Sequence, residues 1–413
     1  MNLVFNKWDD SGNPIPNLSE LNNDREQVSL PFFINDSNFN VQKCKLKDIN
    51  KDEKFYFIIT HRFSYRFYIK NGDIFLPKEI EDYVKNYNLK IVFLCEHESN
   101  KFVDTFVQLL IRKIRKNNWP EENFFLIDNN SMLNQLKHKL NTKINVFKVN
   151  YLIQLFSKKQ NHPIIEDIIF DKKFIFLCQN RAPHYHRLLL LTYLKNLNLF
   201  ENDITNWSSI IEHSEYIRQT RHSSNVLSLK HFKNYIDLND KNLVNDYMTI
   251  CKTKKLCYYI EDIDWNDTTS KYNYSDATET FKSELNFQNS YINIVTESHF
   301  HFRETDVHIT EKSFKPFYFF QLPIFLASYH HVNMMKEEYD FYFFDDLIDH
   351  SYDNEIDDVK RFHMIFNEIQ RLSTMREKIS DYYKSNTDKL IHNHNFIKNN
   401  NYGEIFKNYI LNI

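Results

Sequence analysis

Glycine is nearly missing from this chain: Gly12, Gly72 and Gly403 are the only three in 413 residues, where an average usage of about 7 % would give about 29. Standing alone, they cannot compose a G-x-G-x-x-G turn or a G-x-x-x-x-G-K-[ST] loop. That excludes a P-loop NTPase, a glycine-fingerprint dehydrogenase and a protein kinase together, so a bound phosphate has to be held by something other than a glycine cradle. Cysteine is scarce too, at positions 44, 95, 178, 251 and 257, with no C-x-x-C pair and no framework of tight spacings. Reduced, mostly buried thiols are expected. Neither sign of charge is in excess: the net charge is -3, with acids and bases interspersed. The basic stripe with which a dedicated nucleic-acid binder neutralises phosphates is therefore lacking, and nucleic acid is not an expected partner. No stretch approaches the roughly 18 apolar residues of a transmembrane helix, and the segment from Met1 to Asp10 lacks the apolar core of a signal peptide. The expected location is the cytoplasm, of a cell or of an infected host.

What is abundant is aromatic: 37 Phe and 25 Tyr bring the aromatic share to 16 %. Phe, Tyr, Asn, Lys and Ile share A/T-rich codons, so this abundance reads as nucleotide bias before it reads as a stacking surface. At roughly 100 to 200 residues per domain, the length implies two domains and a helical appendage. Short apolar runs, each followed by a helical pattern, predict α/β sheets with mainly parallel strands. In the first half the runs are 55–60, 90–95, 124–128 and 144–147, with a helix over 102–116 whose apolar residues Phe102, Phe106, Leu109, Leu110 and Ile114 recur at helical spacing. In the second half they are 174–178, 256–260, 291–295 and 322–326, with a leucine-rich helix over about 185–196. Val359, Phe362, Phe366, Ile369, Leu372, Ile379 and Tyr382 predict one long helix within 356–385, followed by shorter ones. The expected division is 1–165, 166–350 and a helical tail over 351–413 that packs across both lobes.

In open α/β sheets ligands bind beyond the carboxyl ends of strands, which directs attention to the residues just after the apolar runs. After Cys178 come Asn180-Arg181-x-Pro183-His184-x-His186-Arg187, two arginines and two histidines at a helix start. A helix N-terminus carries partial positive charge and arginine adds a planar two-pronged donor, so this segment can cradle a diphosphate without glycine. After Val295 come Thr296-Glu297-Ser298, and later Thr310-Glu311-Lys312. Thr310 fits a helix N-cap, Lys312 can meet phosphate as a point charge, and Glu311 can accept hydrogen bonds from ribose hydroxyls.

Thr310-Glu311-Lys312, an apolar helix and then Leu322-Pro323-Ile324-Phe325 resemble the T-E-K motif and the proline-containing strand of fucosyltransferase-like glycosyltransferases of the GT-B fold. The stretch from about 174 to 370 is also similar to glycosyltransferase-like proteins of phages and large viruses. The first lobe carries no comparable likeness, no glycine precedes Pro323, and the histidine-rich insert before Thr310 departs from the family pattern. What the resemblance implies is two Rossmann-like lobes and metal-independent transfer of a sugar from a nucleotide donor, UDP- or GDP-linked, to a hydroxyl acceptor such as a glycan. The donor would lie in the second lobe against Asn180, Arg181, Arg187, Glu297, Thr310, Glu311 and Lys312, with Glu311 on the ribose and Arg181, Arg187 and Lys312 on the diphosphate. No cofactor beyond the nucleotide sugar is implied.

A catalytic base is expected at a strand end of the first lobe, with Glu96 first and His61 second. Asp349, Tyr352, Asp353 and Arg361 are expected to tie the tail to the second lobe. Three rival readings stand beside this one. Glu297, His299, His301, Glu304 and His308 have the composition of a metal site and would suit a metal-dependent hydrolase, although His-Glu-x-x-His is absent. Asp262-Ile263-Asp264 resembles the D-x-D of metal-dependent GT-A transferases. A non-catalytic glycan- or nucleotide-binding protein would share the aromatic richness.

Overall fold

A computed structural model of the chain describes residues 2–8, 14–15, 42–43, 55–61, 69–70, 73–74, 76, 81, 83–85, 89–95, 103–128, 137–148, 153, 156, 163, 168–180, 184–200, 204–209, 234–237, 239–252, 256–258, 287–301, 307 and 309–400. They fall into two compact units, the first within Met1–Gln154 and the second within Leu155–Tyr272 and Asp276–Asn400. The chain is mixed α/β, and each unit has a largely parallel sheet. Among the described residues no helix is long and apolar enough to cross a membrane.

The first unit is built on β1 (Asn2–Trp8), β2 (Pro14–Ile15), β3 (Gln42–Lys43) and β4 (Phe55–His61), then a small hairpin of β5 (Ile69–Lys70) and β6 (Asp73–Ile74). β7 (Leu89–Cys95), α1 (Val103–Lys116), β8 (Phe124–Asp128) and β9 (Asn145–Lys148) complete it. The sheet order is β2-β1-β4-β7-β8-β9, with β3 also beside β1. Only β2 runs antiparallel to its neighbour in this sheet. Ile91, Val92 and Phe93 of β7 and Phe124 to Ile127 of β8 are buried without alternation, as strands covered on both faces require. Phe106, Val107, Leu110, Ile111 and Ile114 form the buried stripe of α1, and Phe106 meets Phe93 edge-on at 5.1 Å. β1 was not foreseen, because Asn2 and Asn6 flank an apolar run of only Leu3, Val4 and Phe5.

The second unit holds β10 (Phe174–Asn180), α2 (Tyr185–Asn196), β11 (Thr205–Ser209), α3 (Lys241–Lys252), β12 (Leu256–Tyr258), β13 (Ser290–Thr296), α4 (Glu311–Tyr318), β14 (Leu322–Leu326) and α5 (His331–Glu338). α6 (Asp358–Ser373), α7 (Arg376–Ser385) and α8 (Thr387–Lys398) follow. The sheet order is β12-β11-β10-β13-β14, parallel except for β12. Every residue of β13 and β14 is buried. Pro323 is tolerated because β14 ends the sheet, where a strand can lack an amide donor. The open side of β14 is closed by the tail: Phe325 N donates to Tyr352 Oη at 3.0 Å, and His350 Nε2 lies 3.2 Å from Pro323 O. An edge satisfied in this way offers no template to another strand.

The expected long tail helix is two helices. Ser373 Oγ and Thr374 Oγ1 donate to the carbonyls of Gln370 and Arg371, at 2.7 and 3.0 Å, and such local bonds compete with continuation of the helix. At the other end Asp357 caps α6, accepting from Val359 N and Lys360 N. With glycine scarce, asparagine takes the left-handed positions after helices: Asn118 beyond α1 and Asn198 beyond α2, at φ 52° and 55°. The next residues close the ends, Trp119 N on Ile114 O and Leu199 N on Leu194 O.

α7 packs at the amino end of the second sheet. Arg376 donates to Lys172 O and Lys173 O, and Tyr291 Oη bonds Phe170 O and Ser380 Oγ. Lys172 is buried there, with Nζ 2.7 Å from Gln288 O and over the Tyr383 ring. Burial pushes its pKa from 10.5 down to about 7. Between these values the unfolded chain binds more protons than the folded one, so this lysine's destabilising contribution is full below pH 7 and fades as pH rises towards 10.5. Lys172→Met is expected to raise stability at pH 7 by the order of 2 kcal/mol and to flatten the increase in melting temperature on the alkaline side. Melting curves across that pH window check it; an unchanged slope would contradict it.

Candidate functional site

Strands β10, β13 and β14 deliver residues to the carboxyl end of the second sheet, and each is followed by a helix: α2, α4 and α5. What meets each helix N-terminus decides what that end can bind, because the first amides of a helix have no partner within it and carry positive potential.

At α4 the end is filled from within. Glu297, the residue after β13, is fully buried. Its Oε1 accepts from Thr310 N at 3.2 Å, Thr310 Oγ1 at 3.0 Å and Ser313 Oγ at 2.5 Å. Its Oε2 accepts from Thr310 Oγ1 at 2.7 Å and Ser298 N at 3.2 Å. Thr310 is the expected N-cap and accepts from Lys312 N. Ser313 Oγ also lies 2.9 Å from His331 Nε2. This is not a hydrolase triad: the carboxylate holds the serine hydroxyl itself, where a triad needs the acid on the imidazole. Lys312 Nζ turns back to Thr310 Oγ1 at 2.9 Å and Glu311 Oε1 at 3.2 Å. Burial pushes the Glu311 carboxyl up, but Lys312 and Lys315 outweigh it and hold the group below its ordinary value.

At α5 a second internal carboxylate does the same. Asp353 accepts from Val332 N at 2.9 Å and Asn333 N at 2.8 Å. It holds His330, left-handed at φ 64°, through the bond from His330 N to Asp353 O.

α2 is different. It has no side-chain cap and no acid in its first turn, which instead contains His186 and Arg187. α3 has Asp240 on Asn242 N and Leu243 N, α6 has Asp357, and α7 and α8 carry Glu377 and Asp388 in their first turns. Each of these helices has a carboxylate at its start, whereas the cap residue and first turn of α2 supply none.

The first turn of α2 is wired to the end of β13. Arg187 Nη2 donates to Thr296 O at 2.8 Å, and His186 Nε2 lies 2.9 Å from Glu297 O. Burial, reinforced by the charge of Arg187, holds His186 well below the ordinary histidine range. The ring is neutral, Nε2–H donates, and Nδ1 is a buried acceptor with no hydrogen-bond partner among the described residues. Asn180 ends β10, accepting from Thr296 Oγ1 at 2.5 Å and donating to Cys178 Sγ at 3.3 Å. Burial pushes the Cys178 thiol up to about 12, leaving it inert.

These positions correct one expectation and refine others. Arg187, expected to lie on the diphosphate, is 3 % exposed, and its guanidinium ties α2 to β13. Asn180, Glu297 and Thr310 are also buried, so they build the site's frame. Glu311 and Lys312 are partly exposed. Arg361 anchors the tail, donating to Phe300 O, Ala327 O, Glu355 O and Ile356 O and pairing with Asp358. Arg181, Glu96, Asp262 and Asp264 lie outside the described residues. His61 is the last residue of β4, in register with Cys95.

The metal-type cluster is not assembled among the described residues. Glu297 is engaged by two hydroxyls and two amides, His301 turns to Asp358, and Glu304 and His308 lie outside the described residues. No group of three or more His, Cys, Asp or Glu there is disposed to hold a metal ion. What the sequence did not signal is the partnership of Glu297 with Ser313 and that of His301 with Asp358. The chain matches no protein-family model, no curated protein and no solved structure.

Proposed function

We propose that the protein is a glycosyltransferase of the GT-B type that moves a sugar from a nucleoside-diphosphate donor to a hydroxyl acceptor, without a metal. The observation that carries the reading is the N-terminus of α2. It follows a central parallel strand, its cap residue and first turn supply no acid where α4 and α5 each receive a carboxylate, and it has the buried cation Arg187 in its first turn. Such an end favours a dianionic diphosphate, and Arg187 raises its potential from behind while Lys312 offers a partly exposed point charge. As the glycosidic bond breaks, charge gathers on the leaving diphosphate, and fixed amides and cations that face it stabilise that state more than the ground state. Two sheet-bearing units in one chain fit the GT-B plan.

A thermal-shift comparison of UDP, GDP, CMP, dTDP and ADP with the corresponding nucleosides, with and without EDTA, tests the reading. One nucleoside diphosphate should stabilise the protein by about 2.7 kcal/mol at a hundred times its Kd, its nucleoside should not, and EDTA should change neither. Lys312→Ala should weaken that diphosphate about tenfold while leaving the unliganded melting temperature in place, because it deletes a partly exposed cation. No shift with any nucleotide would overturn the proposal.

A further inference from the structure

Beyond the donor end of the site, one more group on the second unit has the form of a proton acceptor. His301 follows β13 and sits against the start of α2, its ring stacked on Tyr185 at 4.8 Å between centroids and 18° between planes. Its Nδ1 lies 2.5 Å from Asp358 Oδ2. An ionised carboxylate can only accept, so Nδ1 carries the proton and Nε2 is the nitrogen left with a lone pair. The His301 side chain is 45 % exposed and Asp358 21 %. Among the described residues all hydrogen bonds of His301 run through Nδ1. Asp358 is itself fixed: Arg361, fully buried, binds its Oδ1 at 2.5 Å and donates to Phe300 O beside the histidine. An exposed imidazole, oriented by a carboxylate that a buried guanidinium holds, has the three-part form of a general base.

We propose that His301, positioned by Asp358 and Arg361, is the general base that deprotonates the acceptor hydroxyl. The proposal rests on the transferase reading above. Nε2 takes the hydroxyl proton as the acceptor oxygen bonds to the sugar's anomeric carbon. The bond from that carbon to the diphosphate oxygen breaks, its electron pair leaves with the nucleoside diphosphate, and the imidazolium is paired with Asp358. Among the described residues, the titratable and charged groups around the ring are Tyr185 and His186 of α2, Tyr235, and Asp358 and Arg361 of α6. The tyrosines do not compete for the role. Burial pushes Tyr185 far above the ordinary phenol range and Tyr235 up to about 12, so both hydroxyls keep their protons.

The test measures release of UDP or GDP from the matching nucleotide hexose, with water and then methyl hexosides as acceptors, alongside the Kd of the nucleoside diphosphate. His301→Gln should lower kcat at least about a hundredfold, leave that Kd unchanged and abolish the acid limb of the pH profile. His301→Ala should be rescued by added imidazole. Asp358→Asn, whose amide can present a donor to Nδ1 and so favour the wrong tautomer, should lower kcat and move the acid limb, again with Kd preserved. Full activity with an unchanged pH profile in His301→Gln, or a full loss of activity in Glu96→Gln instead, overturns the proposal alone. Binding without turnover in the wild type overturns it while sparing the donor site, and absence of any nucleotide binding overturns both readings.

Discussion

Glu297→Ala is expected to destabilise the second unit by about 3 kcal/mol, a fall of roughly 6–10 °C in its melting temperature. The carboxylate is fully buried and accepts from Thr310 N, Thr310 Oγ1, Ser313 Oγ and Ser298 N. Removing it leaves two hydroxyls and two amides to find other partners in a closed space, and it takes away the buried carboxylate at the N-terminus of α4, leaving only the partly exposed Glu311 there. Glu297→Gln keeps one acceptor oxygen but turns an amide N–H₂ towards donors, so its loss should be smaller but clear. Thermal melting followed by circular dichroism decides the matter. A Glu297→Ala protein that melts like the wild type would mean that α4 is held by its apolar face alone.

The second large effect is at Arg187. Its burial changes what a substitution does: Arg187→Ala should cost about 3 kcal/mol, since it removes a buried tie between α2 and Thr296 O and leaves a hole behind. Arg187→Met, which keeps much of the volume, should recover part of that stability. Both variants should bind nucleoside diphosphate at least about tenfold more weakly, because the positive potential behind the α2 N-terminus is gone. Nucleoside affinity should stay unchanged. Calorimetric titration of the Met variant separates the two roles. Undiminished diphosphate affinity in a folded Arg187→Met protein would confine Arg187 to structure.

The sheets were legible because strands buried on both faces write themselves as unbroken apolar runs: Phe124 to Ile127, Tyr291 to Val295 and Leu322 to Leu326 have no polar interruption of consequence except Asn293. Asn293 is absorbed by its own partner, donating to Gln321 Oε1 at 2.8 Å. β11, Thr-Asn-Trp-Ser-Ser, was not legible, since its place comes from backbone pairing with β10 and β12 rather than from apolar content. Thr310 as a cap was readable from local spacing. The anion that fills the same helix end was not, because Glu297 is 13 residues away. The pairing of His301 with Asp358 spans 57 residues, and no periodicity within either segment encodes it. His301 was marked for metal because paired histidines on an extended segment suit a cation. The structure instead gives its Nδ1 a carboxylate. The burial of Arg187 was not legible, because an arginine in a first turn is usually solvated; here α2 is packed from His186 to Leu194 with only Tyr193 less buried.

The central claim is that the α2 N-terminus, and not those of α4 or α5, receives the diphosphate. The most direct measurement is amide hydrogen exchange of the whole protein with and without the nucleoside diphosphate that stabilises it. Protection should rise over Tyr185 to Arg187, while Thr310 to Ser313 and Val332 to Asn333, already closed by Glu297 and Asp353, should change little. Protection that appears at α4 or α5 and leaves α2 untouched would contradict the account.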